Sequence, residues 1–120
     1  MKLLKRIALW TSVALWASVI FWFSSKPGSQ IPGQFSEAGH FGEYFIFGLL
    51  LYVALRCDLD PSRAAAIAII TASCYGITDE FHQHFVVMRT PDVVDWAVDT
   101  VGGACGTLIA LATAATLSRQ

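Results

Sequence analysis

"IALWTSVALWASVIFWF", residues 7–23, carries no charged side chain, and apart from its indoles its only polar groups are the hydroxyls of Thr11, Ser12 and Ser18. It follows Met1-Lys2-Leu3-Leu4-Lys5-Arg6, so it reads either as a cleaved secretory leader or as a first membrane helix. Three features favour the helix. The run is longer than a usual leader core, it holds Trp10, Trp16 and Trp22, and no small-x-small cleavage site precedes Ser24-Ser25-Lys26-Pro27-Gly28. A retained helix at residues 7–25 makes this a membrane protein and sets how the rest of the chain is read.

Composition agrees. Of the 120 residues 55% are hydrophobic and only 14% charged, against about 25% charged in an ordinary soluble domain. The net charge is −1, without a basic run or basic-aromatic interleaving, so nothing argues for nucleic-acid binding. Cys57, Cys74 and Cys105 are odd in number and widely spaced, which fits neither a disulfide framework nor a zinc-ribbon spacing. No repeat, low-complexity tract or linker divides the chain, and residues 1–120 read as one domain.

Residues 24–39 hold two Pro, three Gly, four Ser and two Gln and read as a loop. Further spans are expected at about residues 40–56, 63–84 and 92–117. The second and third reach about 20 residues only by taking in their polar ends. The expected fold is an all-α integral membrane four-helix bundle. Lys2, Lys5, Arg6, Arg56, Arg63 and Arg119 fall on one side of it and only Lys26 and Arg89 on the other, which places both termini in the cytoplasm. Glu37, Glu43, Asp79, Glu80, Asp92, Asp95 and Asp99 fall on the opposite, outer side, with His40, His82 and His84.

Helical rise sets the depth of these groups. Glu43 is roughly 20 Å, Asp79 roughly 24 Å and Asp99 roughly 30 Å from the arginines at the inner ends of their helices, against a hydrocarbon thickness of about 30 Å. A charged side chain at mid-bilayer costs about 2.5 to 3.5 kcal/mol and normally faces the bundle interior. Spacing supports that facing. His40 and Glu43 are i, i+3; Asp79, His82 and Gln83 are i, i+3, i+4; Asp92, Asp95 and Asp99 are i, i+3, i+7. Glu80 and His84 point elsewhere on the third span. On the fourth span the acidic stripe runs into Gly102, Gly103 and Gly106, whose spacing permits close helix approach. Thr90-Pro91-Asp92 reads as a helix start, with Thr90 as N-cap, Pro91 in the first turn and Asp92 at the positive end of the dipole.

"HFGEYFIFGLLL" (40–51), "YGITDEFHQHF" (75–85) and "RTPDVVDWAVDTVGGACG" (89–106) together resemble the VanZ-like family of bacterial membrane proteins, over about residues 37–110. The resemblance implies a small multi-span module of the cell envelope, whose namesake is linked to resistance to the glycopeptide teicoplanin. It carries the family's motif positions onto His40, Glu43, Asp79, Glu80, His82, Gln83, Arg89, Asp92, Asp95 and Asp99. Two departures stand out. Relatives often have Pro-Gly where this chain has Val87-Met88, which makes the loop less turn-like here, and often Asn where it has Asp99.

Three functions fit these residues. In the first, a polar pocket built by the last three spans and the Arg89 loop, open on the outer side of the bacterial cytoplasmic membrane, recognises a membrane lipid, a lipid-linked envelope precursor or a glycopeptide. Arg89 would then hold a phosphate, although the surrounding acids would either neutralise Arg89 or require a bridging cation. In the second, His40, Glu43, Asp79 and His82 bind a divalent metal, or paired acids act as acid and base, in a membrane-embedded hydrolase or transferase. No H-E-x-x-H, Gly-flanked Ser nucleophile or double Arg/Lys set supports that chemistry, so recognition is expected ahead of catalysis. In the third, Arg89 pairs with Asp92 or Asp95 and the remaining polar groups only fix the bundle, at about 0.6 kcal/mol per interhelical bond. The expected aromatic role in residues 41–47 is packing and lipid contact.

Overall fold

A computed structural model of the protein describes residues 1–30 and 33–120, side chains excepted at 30 and 33–36. Four helices follow one another: α1 (Lys2–Ser24), α2 (Gly33–Leu55), α3 (Pro61–Gln83) and α4 (Val93–Leu117), with a short 3-10 turn at Gly28–Gln30 between the first two. Among the described residues there is no strand.

The first three helices start earlier than their apolar runs. α1 takes in Lys2, Lys5 and Arg6 because lysine and arginine are good helix formers and cost the first turn little. α2 begins at Gly33, so the expected loop is cut short and Glu37, Ala38 and Gly39 are helical; Ile31 and Pro32 lie outside the described residues. α3 starts at Pro61, where the missing N–H is no loss. Its N-cap Asp60 accepts from the Arg63 amide (3.0 Å) and the Ser62 hydroxyl (2.9 Å), which hold the Asp60 carboxyl below the usual carboxylate range.

The start of α4 corrects the expected cap. Asp92, not Thr90, is the N-cap: its backbone is extended (φ −138°, ψ 130°) and its Oδ1 accepts from the Val94 amide at 2.9 Å. A carboxylate on the last extended residue does directly what the Thr90 hydroxyl would have done from two residues further back.

α1, residues Glu37–Leu55 of α2, and α4 are long and apolar enough to cross a membrane. α3 matches α1 and α2 at 23 residues, roughly 35 Å of helix. Asp79 and Glu80 in its last turns shorten its apolar stretch. The faces turned away from the bundle are apolar, with Leu15, Phe21 and Trp22 of α1, Ile70 and Ile77 of α3 and Val101, Leu108 and Ile109 of α4 all exposed.

α4 packs chiefly on α2 and then on α3, while α1 packs on α2 and α3. Backbone meets backbone between α2 and α4. A Cβ on Gly106 would overlap the Phe45 carbonyl, one on Gly48 would overlap the Gly103 carbonyl, and one on Gly102 would lie 2.6 Å from the Phe41 carbonyl oxygen. Gly103 faces α3 instead, where a Cβ would come 2.8 Å from that of Ala72. Only glycine permits this approach, and van der Waals contact at short range is what holds helices together where lipid competes for every apolar face. Thr107 adds a hydroxyl bond to the Gly48 carbonyl at 3.2 Å.

Along its middle, α1 is fastened by two side-chain bonds to backbone. Trp16 Nε1 donates to the Glu43 carbonyl (2.8 Å) and the Tyr75 hydroxyl to the Ala17 carbonyl (2.7 Å). At one end of the bundle Arg6 pairs with Asp58 at 3.0 Å. The other end carries the acids and histidines.

Candidate functional site

His40 is the centre of that end. It lies on α2, 6% exposed, and its Nδ1 donates to Oδ1 of Asp99 on α4 at 2.7 Å. Asp99 is 0% exposed, and its Oδ2 has no hydrogen-bond partner. Donor atoms of His40, Asp79 and Asp99 lie within 4.8 Å of one another, and so do those of His40, Glu80 and Asp95. One imidazole thus stands between two carboxylate pairs, each pair formed by α3 and α4.

The supporting bonds come from neighbours in sequence and space. Asp79 is buried (5% exposed) and its Oδ2 accepts from the Tyr44 hydroxyl at 3.3 Å. Tyr44 is fully buried one turn beyond His40, so the role expected of the aromatics near it was too narrow. The i, i+4 relation to His40 was the available signal, since it puts both side chains on one face. Glu80 Oε2 accepts from the Asp92 amide at 2.9 Å and locks the helix start to α3, while its Oε1 is buried without a partner. Gln83, 2% exposed, closes the same face of α3.

Two expected members lie elsewhere. His82 turns toward α1: its Nε2 is hydrogen-bonded to the Ser25 hydroxyl (3.0 Å) and its ring stacks on Phe21 with centroids 4.5 Å apart. Glu80, expected to point away, takes the place expected for His82. On a helix Glu80 sits about 100° to one side of Asp79 and His82 about 60° to the other. α4 lies on the first side and α1 on the second. Glu43 is half-buried one turn after His40, outside both groups of donor atoms, and its carbonyl is bound by Trp16.

Arg89 forms no ion pair among the described residues. Its Nε donates to the Lys26 carbonyl and its Nη2 to the Phe23 carbonyl, both at 3.0 Å. The guanidinium therefore serves the last turn of α1, where helix carbonyls lack partners and the dipole is negative. Lys26 Nζ lies 3.9 Å above the Trp22 ring. Both cations of this end belong to the α1 terminus, which also holds His82 through Phe21 and Ser25.

A groove of about 260 Å³ runs between α3 and α4 beside the cluster, lined by Ile77, Glu80, Pro91, Asp92, Val93 and Trp96. Its wall is almost wholly apolar apart from the carboxylates of Glu80 and Asp92. Trp96 is fixed there by donating Nε1 to the Ser73 carbonyl at 3.1 Å, and Ser73 is hydrogen-bonded to Thr100 at 2.9 Å.

Compared with known proteins, the chain matches a family described as VanZ/LLP1 over residues 9–115, from within α1 to within α4. No curated protein and no solved structure matches it.

Proposed function

This chain belongs to the VanZ/LLP1 family, and from that premise we propose a four-span protein of the bacterial cytoplasmic membrane that receives an envelope lipid or lipid-linked cell-wall intermediate at the His40 end. The six-to-two distribution of Lys and Arg supports cytoplasmic termini and an outward-facing cluster. The observation that carries the reading is the groove between α3 and α4, which is apolar along Ile77, Val93 and Trp96 and ends on Glu80. A hydrocarbon chain fits the first part. Carboxylates at the end accept from the hydroxyls and amides of a sugar headgroup. The linking phosphate of such a lipid would need a bridging cation beside these carboxylates, because Arg89 is committed to α1.

Native mass spectrometry of the detergent-purified protein with a synthetic polyprenyl-diphospho-sugar, a bacterial polar lipid extract or teicoplanin tests this. Retained adducts of the sugar lipid, lost on filling the groove with Ile77→Trp and kept in Ile70→Trp outside it, are expected. Adducts that survive Ile77→Trp would remove the groove from the account, and teicoplanin adducts alone would replace the lipid by the glycopeptide.

A second reading, a hydrolase or transferase, is favoured by one feature, the imidazole of His40 among four carboxylates. Release of the sugar from the bound lipid in the same experiment would establish it, and an unchanged adduct mass over hours would dismiss it.

A further inference from the structure

We propose that His40, Glu80 and Asp95 are a binding site for one divalent first-row transition ion, Mn2+ or Zn2+, with Asp99 holding the imidazole through its other nitrogen. Donor atoms within 4.8 Å of one another are close enough to share an ion with small side-chain movements. Proximity of acids alone would not suffice. The second observation is the state of the buried oxygens. Asp99 is fully buried with Oδ2 unpartnered, and Glu80 Oε1 in the same cluster is buried and unpartnered too. Buried polar atoms normally have partners, and two bare carboxylate oxygens around one imidazole call for a donor or a cation.

No lysine or arginine among the described residues supplies that positive charge. Arg89 binds the Phe23 and Lys26 carbonyls, Lys26 lies on Trp22, and among the described residues no Lys or Arg pairs with the four acids. The bond from His40 Nδ1 to Asp99 also matches the way metal-bound imidazoles are held: a carboxylate takes the proton of one nitrogen, fixes the tautomer and leaves the lone pair of the other for the metal. Ligand chemistry selects the ion. Carboxylates alone would suit Mg2+ or Ca2+, while the imidazole moves the preference to Mn2+ or Zn2+. The inference is independent of any lipid, since the ion is tested alone.

The experiment is titration of chelator-stripped protein in detergent with Mn2+, followed by electron paramagnetic resonance and by the imidazole resonances of the three histidines. One bound ion per chain is expected, with His40 broadened before the exposed His84, and a Zn2+ competition that releases the Mn2+. Glu80→Gln and Asp95→Asn should each weaken binding by about 10- to 100-fold, whereas Asp58→Asn at the opposite end leaves it unchanged. Broadening of the wild-type resonances needs no variant and remains informative if a substitution unfolds the chain. Absence of stoichiometric binding, broadening that begins at His84 or His82, or equal affinity in the two carboxylate variants and wild type would overturn the site.

Discussion

The side chains of His40 and Asp99 meet at 2.7 Å across the α2–α4 interface, and neither is open to solvent. The glycine contacts bring the two helices together just below this pair, so a short polar bond is added to an interface already set by backbone contact. Orientation of the imidazole then depends on Asp99, while Asp99 keeps only one of its oxygens partnered.

Removing either partner should therefore have unequal effects. His40→Ala leaves both Asp99 oxygens buried without a donor, an expected loss of about 1 to 3 kcal/mol. Asp99→Asn keeps an acceptor for the imidazole and should cost on the order of 0.6 kcal/mol, the usual size of an interhelical bond in a membrane bundle. Reversible unfolding in micelles, with chelator present throughout, measures both. Equal losses would mean that the charge of Asp99, rather than its hydrogen bond, holds the interface.

Glycines in two positions should respond in opposite directions. A Cβ at Gly106 overlaps the Phe45 carbonyl, and backbone cannot swing aside as a side chain can, so Gly106→Ala should destabilise by about 1 to 3 kcal/mol. A Cβ at Gly42 meets nothing within 4 Å, and Gly42→Ala should be neutral or stabilise by up to about 1 kcal/mol through helix propensity. Unfolding midpoints of the two variants in one detergent decide the matter; a stable Gly106→Ala protein would argue that α2 and α4 do not pack through these backbones.

The spacing of His40, Asp79 and Asp99 was enough to read three inward stripes, because helical periodicity alone fixes which residues share a face. Periodicity does not say which neighbour lies on which flank. Glu80 and His82 both border Asp79, and only the placement of α4 and α1 sends the first to His40 and the second to Ser25. Arg89 departs from expectation for a different reason. Its acceptors are the backbone carbonyls of Phe23 and Lys26, and a carbonyl left free at a helix end has no residue type to mark it. The early start of α2 was hidden because Gly, Ser and Gln are common in loops, although none of them forbids a helix as proline does.

Arg89 should matter to α1 rather than to the acids. Arg89→Ala removes two bonds that join the α3–α4 connection to the end of α1, a loss on the order of 1 kcal/mol for a half-exposed charged donor. Exchange of the amides at Ser25, Lys26 and Gly28 should accelerate, and Arg89→Lys should restore only part of the protection because one ammonium does not match the fork of a guanidinium. Unchanged protection of these amides in Arg89→Ala would show that the end of α1 does not depend on the Arg89 bonds.

Met88 tests the loop itself. Its φ of 60° lies in the left-handed region, the only such non-glycine position among the described residues. The Val87-Met88 segment thus turns sharply despite lacking the Pro-Gly that VanZ-like relatives often carry. Gly28 is packed against the Met88 carbonyl and donates its amide to the Val87 carbonyl at 3.1 Å, which keeps the turn in register with the end of α1. Left-handed backbone costs a residue with a Cβ about 1 to 2 kcal/mol, and glycine avoids that cost but loses about 0.5 to 1 kcal/mol more entropy on folding. Met88→Gly should therefore be neutral or stabilise by up to about 1 kcal/mol, Met88→Val should destabilise because a β-branched side chain tolerates positive φ poorly, and Gly28→Ala should destabilise through its clash with the Met88 carbonyl. Unfolding midpoints that fall from Met88→Gly through wild type to Met88→Val would support the turn; a Met88→Val protein as stable as wild type would mean that the backbone there is not left-handed.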